Sequence, residues 1–160
     1  MSKISIIMGS QSDLETVKEA IDLLKEFKVG FEVKVLSAHR TPKELVKYVE
    51  EAPKKDIKVF ITAAGGAAAL AGVVAAHTIL PVIGIPMETK SLRGLDSLLS
   101  TVQMPAGIPV ASMSIGKAGA KNAALFAIEI LGVSDNKIGR KLLAYKKSMR
   151  LKVKNIKIKL

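Results

Sequence analysis

Two adjacent residues, His39 and Arg40, are the pair in this sequence best suited to chemistry. An imidazole exchanges protons near neutral pH, and a guanidinium binds phosphate through two parallel hydrogen bonds. Thr41 and Pro42 follow, a combination typical of a helix start. The pair predicts a site that binds a phosphorylated substrate and transfers a proton to or from it. The alternative is that His39 is a loop histidine with no chemical role. The only other histidine, His77, lies in an apolar helical stretch and is interpreted as structural.

A second polar segment, residues 9–13, contains a glycine, two serines and an aspartate. Serine hydroxyls and the exposed N–H groups of a helix start bind anions, while a carboxylate accepts hydrogen bonds from ribose hydroxyls. A nucleoside monophosphate would use both kinds of group. The structural alternative is that Ser10 or Ser12 caps the helix and Asp13 complements its dipole.

A third segment, residues 63–68, has adjacent glycines between small residues, which would let backbone N–H groups approach a planar ligand closely. It has neither the G-x-G-x-x-G spacing of dinucleotide-binding folds nor the Gly-Lys-Ser/Thr ending of P-loops. NAD and ATP are therefore not indicated, and the sequence predicts no cofactor.

Several other chemistries are excluded by what the chain lacks. It contains no cysteine, so it has no thiolate nucleophile, disulfide framework or Cys-ligated metal. No His/Asp/Glu group has metal-ligand spacing, no carboxylate pair is spaced for glycosidase chemistry, and no serine lies in a G-x-S-x-G motif. The predicted site therefore has no metal and uses one imidazole, hydroxyls, backbone amides and a cation.

The elements that must position these segments follow from the hydrophobic pattern. Apolar, β-branched runs alternate with longer stretches of helical spacing, which is typical of a parallel sheet with helices on both faces. Ligands of such sheets bind at the carboxyl ends of the strands, where all three segments are expected to lie. The predicted strands lie near 3–8, 31–36, 57–63, 80–85 and 108–113, and the predicted helices at about 12–27, 42–52, 67–78, 94–102, 118–131 and 135–152.

Composition predicts one domain over residues 1–160, with a core at about 3–132, because 160 residues with 49% hydrophobic content can bury a single core. The net charge of +11 is concentrated in residues 137–160, which contain ten Lys and Arg and no Asp or Glu, leaving fifteen basic and fourteen acidic residues elsewhere. The C-terminal helix and basic tail, about 135–160, are predicted to be a solvated amphipathic segment. Binding to nucleic acid or a membrane is the alternative.

The N-terminal segment, residues 1–8, has an apolar run too short for a signal-peptide core. No stretch approaches the roughly 20 apolar residues of a membrane span, and the absence of cysteine gives no support to secretion. The sequence therefore predicts a soluble, cytoplasmic protein without a membrane partner.

Seven ordered motifs in this chain resemble those of the N5-carboxyaminoimidazole ribonucleotide mutase family, which acts in purine synthesis. The resemblance covers about residues 4–132. It implies a three-layer α/β/α sandwich with a flavodoxin-like parallel sheet, to which this chain adds a C-terminal helix, and a homo-octamer with active sites at subunit junctions. The motifs lie at residues 8–13, 37–42, 65–68, 81–86, 94–100, 102–105 and 115–123.

The resemblance also implies roles for residues. His39 would be the general acid and base, Asp13 would bind the ribose, and the phosphate would be bound by Ser12, Ser37 and Arg40. Ser10 and Gly65 would face the migrating carboxylate. The substrate-binding residues that it implies are Ser10, Ser12, Asp13, Ser37, Ala38, Arg40, Gly65, Gly66, Ala67 and Leu70.

The chain departs from the family pattern at three positions. Ala69 and Ala71 stand where the family usually has histidine and proline, so a second imidazole near the site is missing. Proton transfer stays assigned to His39. Ala63 replaces a usual glycine and is expected to stiffen the loop that binds the ring.

The reaction implied is a carboxyl shift from the exocyclic N5 of a ribonucleotide substrate to its ring carbon C4. The nearest alternative, from the same superfamily, is direct carboxylation of aminoimidazole ribonucleotide with CO2. A non-enzymatic flavodoxin-like module is a second alternative. A receiver domain would need an aspartate at the end of the third strand, where Ala63 and Ala64 stand, and a flavin carrier would stack its ring on aromatics, which make up only 4% of the chain.

Overall fold

A five-stranded, wholly parallel sheet lies at the centre of the computed structural model, which describes residues 3–158. The strands are β1 (Ile4–Met8), β2 (Phe31–Val35), β3 (Val59–Ala64), β4 (Val82–Pro86) and β5 (Ala111–Ser112). Their order is β2-β1-β3-β4-β5, so the chain reverses its direction of travel across the sheet between β1 and β3. This confirms the predicted flavodoxin-like fold. Residues 1, 2, 159 and 160 of the predicted domain lie outside the described residues.

Helices cover both faces of the sheet. Short 3-10 turns precede the first helix at Gln11–Asp13 and follow the second at Ala52–Lys55. Every predicted helix is present, and most boundaries agree to within two or three residues. The helices are α1 (Leu14–Glu26), α2 (Pro42–Glu51), α3 (Leu70–Ala76), α4 (Leu95–Val102), α5 (Gly116–Gly132) and α6 (Asn136–Lys154).

The two faces of the sheet form two separate cores, because successive strand side chains point to opposite sides. On β1, Ile4, Ile6 and Met8 pack into the core shared with α1 and α5, whereas Ile7 packs into the core shared with α2 and α3. All five residues of β1 are buried. This explains why the central strands β1, β3 and β4 are largely continuous apolar runs, whereas the edge strand β2 alternates apolar and charged residues.

Two predicted boundaries were wrong. The last strand was predicted over 108–113 but pairs only at Ala111–Ser112, and the preceding segment contains Pro105 and Pro109, which have no N–H to donate to a ladder. The third helix was predicted from residue 67 but begins at Leu70. The three alanines before Leu70 instead form tight turns, with hydrogen bonds from the Ala68 N–H to the Gly66 carbonyl and from the Ala69 N–H to the Ala67 carbonyl.

Helix α6 is anchored to the body by contacts that extend from Asp135 to Lys146, whose Nζ lies 2.9 Å from the Glu129 carboxylate. The Asp135 carboxylate caps it, Ile138 and Leu142 are buried against the core, and the Tyr145 ring packs on Phe27 with centroids 5.4 Å apart. From residue 146 to residue 158 every residue is exposed. Within residues 3–158, no helix combines the length and apolar character needed to cross a membrane.

Candidate active site

Three loops meet at the carboxyl edge of the sheet because the strands that carry them are in register. Met8 pairs with Val35 on one side and with Ala63 on the other, so the segments after β1, β2 and β3 begin side by side. Together they enclose a cleft of about 240 Å³ at the point where the strand order reverses. The residues that line it are Gly9, Ser10, Asp13, Ser37, Ala38, His39, Arg40, Ala64, Gly65, Ala67, Ala68, Ala69 and Leu70.

The loop after β1 is closed by reciprocal hydrogen bonds between its polar residues. The Ser10 hydroxyl accepts the Ser12 N–H at 3.3 Å and the Ser12 hydroxyl at 2.9 Å, while the Asp13 carboxylate accepts the Ser10 N–H at 3.1 Å. Ser10 and Asp13 therefore form the capping box that the structural alternative anticipated, and both also line the cleft. Ser12 does not line it.

Asp13 is a half-buried carboxylate with a perturbed pKa. Burial raises the pKa of Asp13 above its ordinary value of 3.8, and this outweighs the hydrogen bonds from the Ser10 N–H and the Ser12 hydroxyl and the positive charge of Arg40. The ionised carboxylate is therefore held in the cleft at a cost to the stability of the empty protein. Perturbed acidic groups in clefts are typical of functional sites.

Asp13→Asn is expected to raise the free energy of unfolding at pH 7. Asparagine keeps an oxygen to accept the Ser10 N–H but removes the charge that burial disfavours. Because the folded-state pKa is raised, the native state binds the proton more tightly than the unfolded state, and stability falls as pH rises from 3.8 through the folded pKa. Urea unfolding at pH 7 and pH 4 should show the advantage of the variant shrinking at the lower pH.

The matched control for this prediction is Asp22→Asn, which removes an exposed carboxylate from α1 outside the cleft. It should not reproduce the effect. An Asp13→Asn variant whose stability relative to the parent protein is the same at both pH values would contradict the assignment.

The loop after β2 presents the imidazole. The Ser37 hydroxyl accepts the N–H groups of His39 at 3.3 Å and of Arg40 at 3.1 Å, and Thr41 closes the turn. The Thr41 hydroxyl accepts the Ser37 N–H at 2.8 Å and donates to the Ser37 carbonyl at 3.1 Å. These bonds fix the backbone under His39, whose exposed side chain lines the cleft.

Arg40 joins the first two loops. Its Nη2 donates to the Gly9 carbonyl at 2.7 Å, and its Nε lies 3.4 Å from the Ser37 hydroxyl. These two contacts hold the guanidinium beside the cleft. Its remaining N–H groups are available to bind an anion. The Arg40 side chain is exposed, so an anion that enters the cleft can reach it.

The loop after β3 forms a wall of small residues opposite the imidazole. Gly65 and Ala67 line the cleft, as predicted, but Gly66 between them does not. Gly66 has a φ of +69°, a conformation that glycine adopts without the steric cost of a Cβ. Ala69 also lines the cleft, so the position at which the sequence was expected to lack a histidine belongs to this wall.

The predicted site residues are therefore largely brought together. Of the eleven, Ser12 and Gly66 alone do not line the cleft. The lining residues that sequence reasoning missed are Gly9, Ala64, Ala68 and Ala69, which have no reactive side chain. Gly9 also supplies the carbonyl that accepts a hydrogen bond from Arg40. Their one signal was their place beside the predicted residues. His77 lies at the end of α3 outside the lining, with its Nδ1 3.5 Å from the Glu50 carboxylate.

No cluster of three or more His, Asp or Glu residues that could hold a metal ion is found between residues 3 and 158. The groups that the cleft offers are one imidazole, one guanidinium, one carboxylate, two serine hydroxyls and backbone amides. This set suits proton transfer on a phosphorylated, sugar-bearing substrate.

Comparison with known proteins gives the same picture over nearly the whole chain. The AIR carboxylase family profile matches residues 3–152. The N5-carboxyaminoimidazole ribonucleotide mutase of Saccharolobus solfataricus is 52% identical over 150 residues, which cover 94% of each chain. The enzyme of the same name from Bacillus subtilis is 58% identical over 139 residues, covering 87% of this chain and 86% of the relative. The crystal structure of Treponema denticola PurE superposes with a TM-score of 0.86 at 32% identity, covering 94% of this chain and 92% of that one.

Proposed function

Because the chain belongs to the AIR carboxylase family, we propose that it is an enzyme of purine biosynthesis that catalyses the N5-carboxyaminoimidazole ribonucleotide mutase reaction. The substrate is the N5-carboxylated ribonucleotide, and the product carries the carboxyl group on ring carbon C4. This proposal rests on the sequence similarity to mutases: more than half of the aligned residues are identical, in alignments that cover 94% and 87% of this chain.

The geometry of the cleft supports a specific placement of the nucleotide. The phosphate lies at Arg40 and Ser37, and the ribose hydroxyls lie at Asp13. Ser12, which lies outside the lining, is proposed to assist through its hydrogen bond to the Ser10 hydroxyl. The aminoimidazole ring and its carboxylate lie between His39 and the loop after β3, residues 65–69, here called the glycine loop. The other residues proposed to contact the substrate are Ser10, Ala38, Gly65, Ala67 and Leu70. Gly66, which lies outside the lining, is proposed to contribute only through the peptide groups that it shares with Gly65 and Ala67.

The proposed mechanism needs one proton carrier. His39 in its protonated form donates a proton to N5, the N–C bond of the carbamate breaks, and CO2 leaves with its bonding electrons remaining on nitrogen. C4 of the electron-rich ring then attacks the carbon of CO2. Neutral His39 removes the hydrogen from C4 as a proton, which restores the aromatic ring and returns the imidazole to its starting state.

Retention of CO2 is the second requirement of this reaction. The wall formed by Ala64, Ala67, Ala68 and Leu70 is built from small apolar side chains, and Ala68 and Leu70 are buried. The side chains of such a wall offer CO2 no competing hydrogen bonds and give it an apolar surface beside the reacting ring. The carbon atom is thereby held next to C4 at a far higher effective concentration than in solution.

The test is to supply the purified protein with each candidate substrate separately. N5-carboxyaminoimidazole ribonucleotide should be converted to the C4-carboxylated product without ATP or a cofactor. Aminoimidazole ribonucleotide with CO2 should react poorly in the forward direction. Efficient use of the second pair and not of the first would establish the alternative, direct carboxylation.

We propose further that the protein is a homo-octamer in the cytoplasm. An unpartnered apolar stripe on α4 supports an oligomer: Leu95, Leu99 and Val102 follow a helical spacing and are 51%, 48% and 51% exposed. Leu92, before the helix, extends the patch. Sedimentation velocity on the full chain tests this, and a monomer that retains full turnover would contradict it.

Removal of residues 152–160 is expected to leave kcat/KM within about twofold of the full chain, because the described part of this segment is exposed. Up to residue 158, the last described residue, no residue of the removed segment lines the cleft. Steady-state kinetics on the truncated protein measure this, with the full chain at matched ionic strength as control. A large loss of turnover would show instead that the tail makes contacts needed for assembly or for a partner.

A further inference from the structure

Gly66 does not line the cleft, and its backbone N–H and carbonyl groups contact two serines of α4. Its N–H donates to the Ser97 hydroxyl at 3.0 Å, and its carbonyl oxygen lies 3.3 Å from the Ser100 hydroxyl. Ser97 is completely buried, while Ser100 is exposed at the edge of the helix. Neither serine lines the cleft, and the proton-transfer scheme uses neither.

Anchoring both polar groups of one residue orients the peptide groups on either side of it. The Gly66 N–H shares its peptide plane with the Gly65 carbonyl, and the Gly66 carbonyl shares its plane with the Ala67 N–H. In a trans peptide the N–H and C=O groups point in opposite directions, and the described residues contain no cis bond. The Gly65 carbonyl and the Ala67 N–H therefore point away from α4, and both of these residues line the cleft.

The start of α4 and the glycine loop both lie against Thr89. The Gly94 N–H, which precedes the helix, donates to the Thr89 hydroxyl at 3.1 Å, and this hydroxyl donates to the Asp96 carboxylate at 2.8 Å. A Cβ atom built on Gly65 would lie 3.5 Å from the Thr89 methyl and 3.8 Å from the Ser97 hydroxyl. Ser97 is thus placed under the loop by contacts that need no substrate.

We infer that Ser97, assisted by Ser100, is a positioning residue for the reaction: the two hydroxyls fix the Gly66 peptide so that one backbone acceptor and one backbone donor face the aminoimidazole and its carboxyl group. This inference rests on the proposed function. Backbone groups fixed before the reaction stabilise developing charge without reorganising, and a displacement of about 1 Å costs on the order of 10²-fold in rate.

Ser97→Ala is the decisive variant. Loss of the acceptor frees the Gly66 N–H and lets the loop rotate, so kcat should fall by roughly 10-fold to 100-fold. KM should change much less, because the phosphate and ribose contacts lie on the other two loops. Ser100→Ala should show a smaller fall in kcat, since its bond to Gly66 is longer and its hydroxyl also donates to the Asp96 carbonyl at 2.8 Å.

Thr101→Val is the matched control. Thr101 is a second buried hydroxyl of α4, one turn further along, and it donates only within the helix, to the Ser97 carbonyl at 2.7 Å. Its replacement by valine should lower thermal stability without lowering kcat. Hydrogen exchange in the peptide that covers residues 64–69 should become faster in Ser97→Ala and stay unchanged in Thr101→Val.

The outcomes separate this inference from the proposed function. Unchanged kcat and unchanged exchange in Ser97→Ala would overturn the positioning role, as would an equal loss of kcat in Thr101→Val. If Ser97→Ala does not fold, the exposed Ser100→Ala decides, and an unaltered kcat there counts against the role. A parent protein that folds but converts no substrate would refute the proposed function, and the exchange measurement would still report on the loop.

Discussion

His39→Asn is expected to lower the turnover of N5-carboxyaminoimidazole ribonucleotide by roughly 10²-fold to 10⁴-fold, because a positioned proton carrier contributes about this much to a rate. Asparagine is of similar size and polarity but cannot carry a proton between N5 and C4. The Ser37 hydroxyl binds the backbone N–H at this position and not the side chain, so the loop should keep its shape. Substrate affinity, measured by equilibrium binding, should therefore change little.

The chain provides its own control for this experiment. His77→Asn removes the other histidine, which lies outside the lining of the cleft. It should retain the turnover of the parent protein. If His39→Asn were to work at nearly the rate of the parent protein, another group would have to move the proton, and the mechanism would have to be abandoned.

The second large effect is expected from Arg40→Ala, which should raise KM by roughly 10-fold to 100-fold with a smaller effect on kcat. A hydrogen bond to a charged group is worth about 1.5 to 3 kcal/mol, and each 1.4 kcal/mol corresponds to a factor of ten. The variant loses this bond to the phosphate and also the link between the first two loops, in which Nη2 donates to the Gly9 carbonyl at 2.7 Å. Initial-rate kinetics over a range of substrate concentrations separate KM from kcat.

Lys43→Ala is the control, because Lys43 is an exposed cation three residues further along that does not line the cleft. It removes one positive charge from the same segment, so any effect of net charge alone would appear in both variants. A KM for Arg40→Ala equal to that of the parent protein would place the phosphate elsewhere.

Much of this fold could be predicted from the sequence because the signals were local. The central strands β1, β3 and β4 are short, largely apolar runs covered on both faces, while the edge strand β2 has an alternating pattern. The helices have their own spacing of apolar residues and start signals such as Pro42 or the Asp135 cap. The fifth strand was predicted too long because Pro109 cannot donate to a ladder, and α3 was predicted to start too early. Residues 67–69 are alanines, which favour helices intrinsically, but here the backbone turns to form the cleft wall.

The site was predicted less completely because part of it depends on contacts between distant segments. His39, Arg40 and Asp13 carry reactive groups and are visible in the sequence, and the register of β1 with its neighbours brings their loops together. The bond from the Gly66 N–H to the Ser97 hydroxyl joins residues 31 positions apart. Ser97 lies within the motif at residues 94–100, but its local sequence does not show what its hydroxyl contacts, so only the tertiary structure reveals this bond.

The distance between the parallel strands β2, β1 and β3 sets the length of the ligand that the three loops of the cleft can contact. Neighbouring strands lie about 4.8 Å apart, so loops on three adjacent strands span roughly 10 Å. On the proposed placement, the phosphate lies at the loop after β2, the ribose at the loop after β1, and the base between His39 and the loop after β3, so the nucleotide occupies the whole span. A nucleoside without phosphate would leave one end of this span empty, and a dinucleotide would extend past it. Selection for a mononucleotide thus follows from strand geometry as well as from the side chains that touch it.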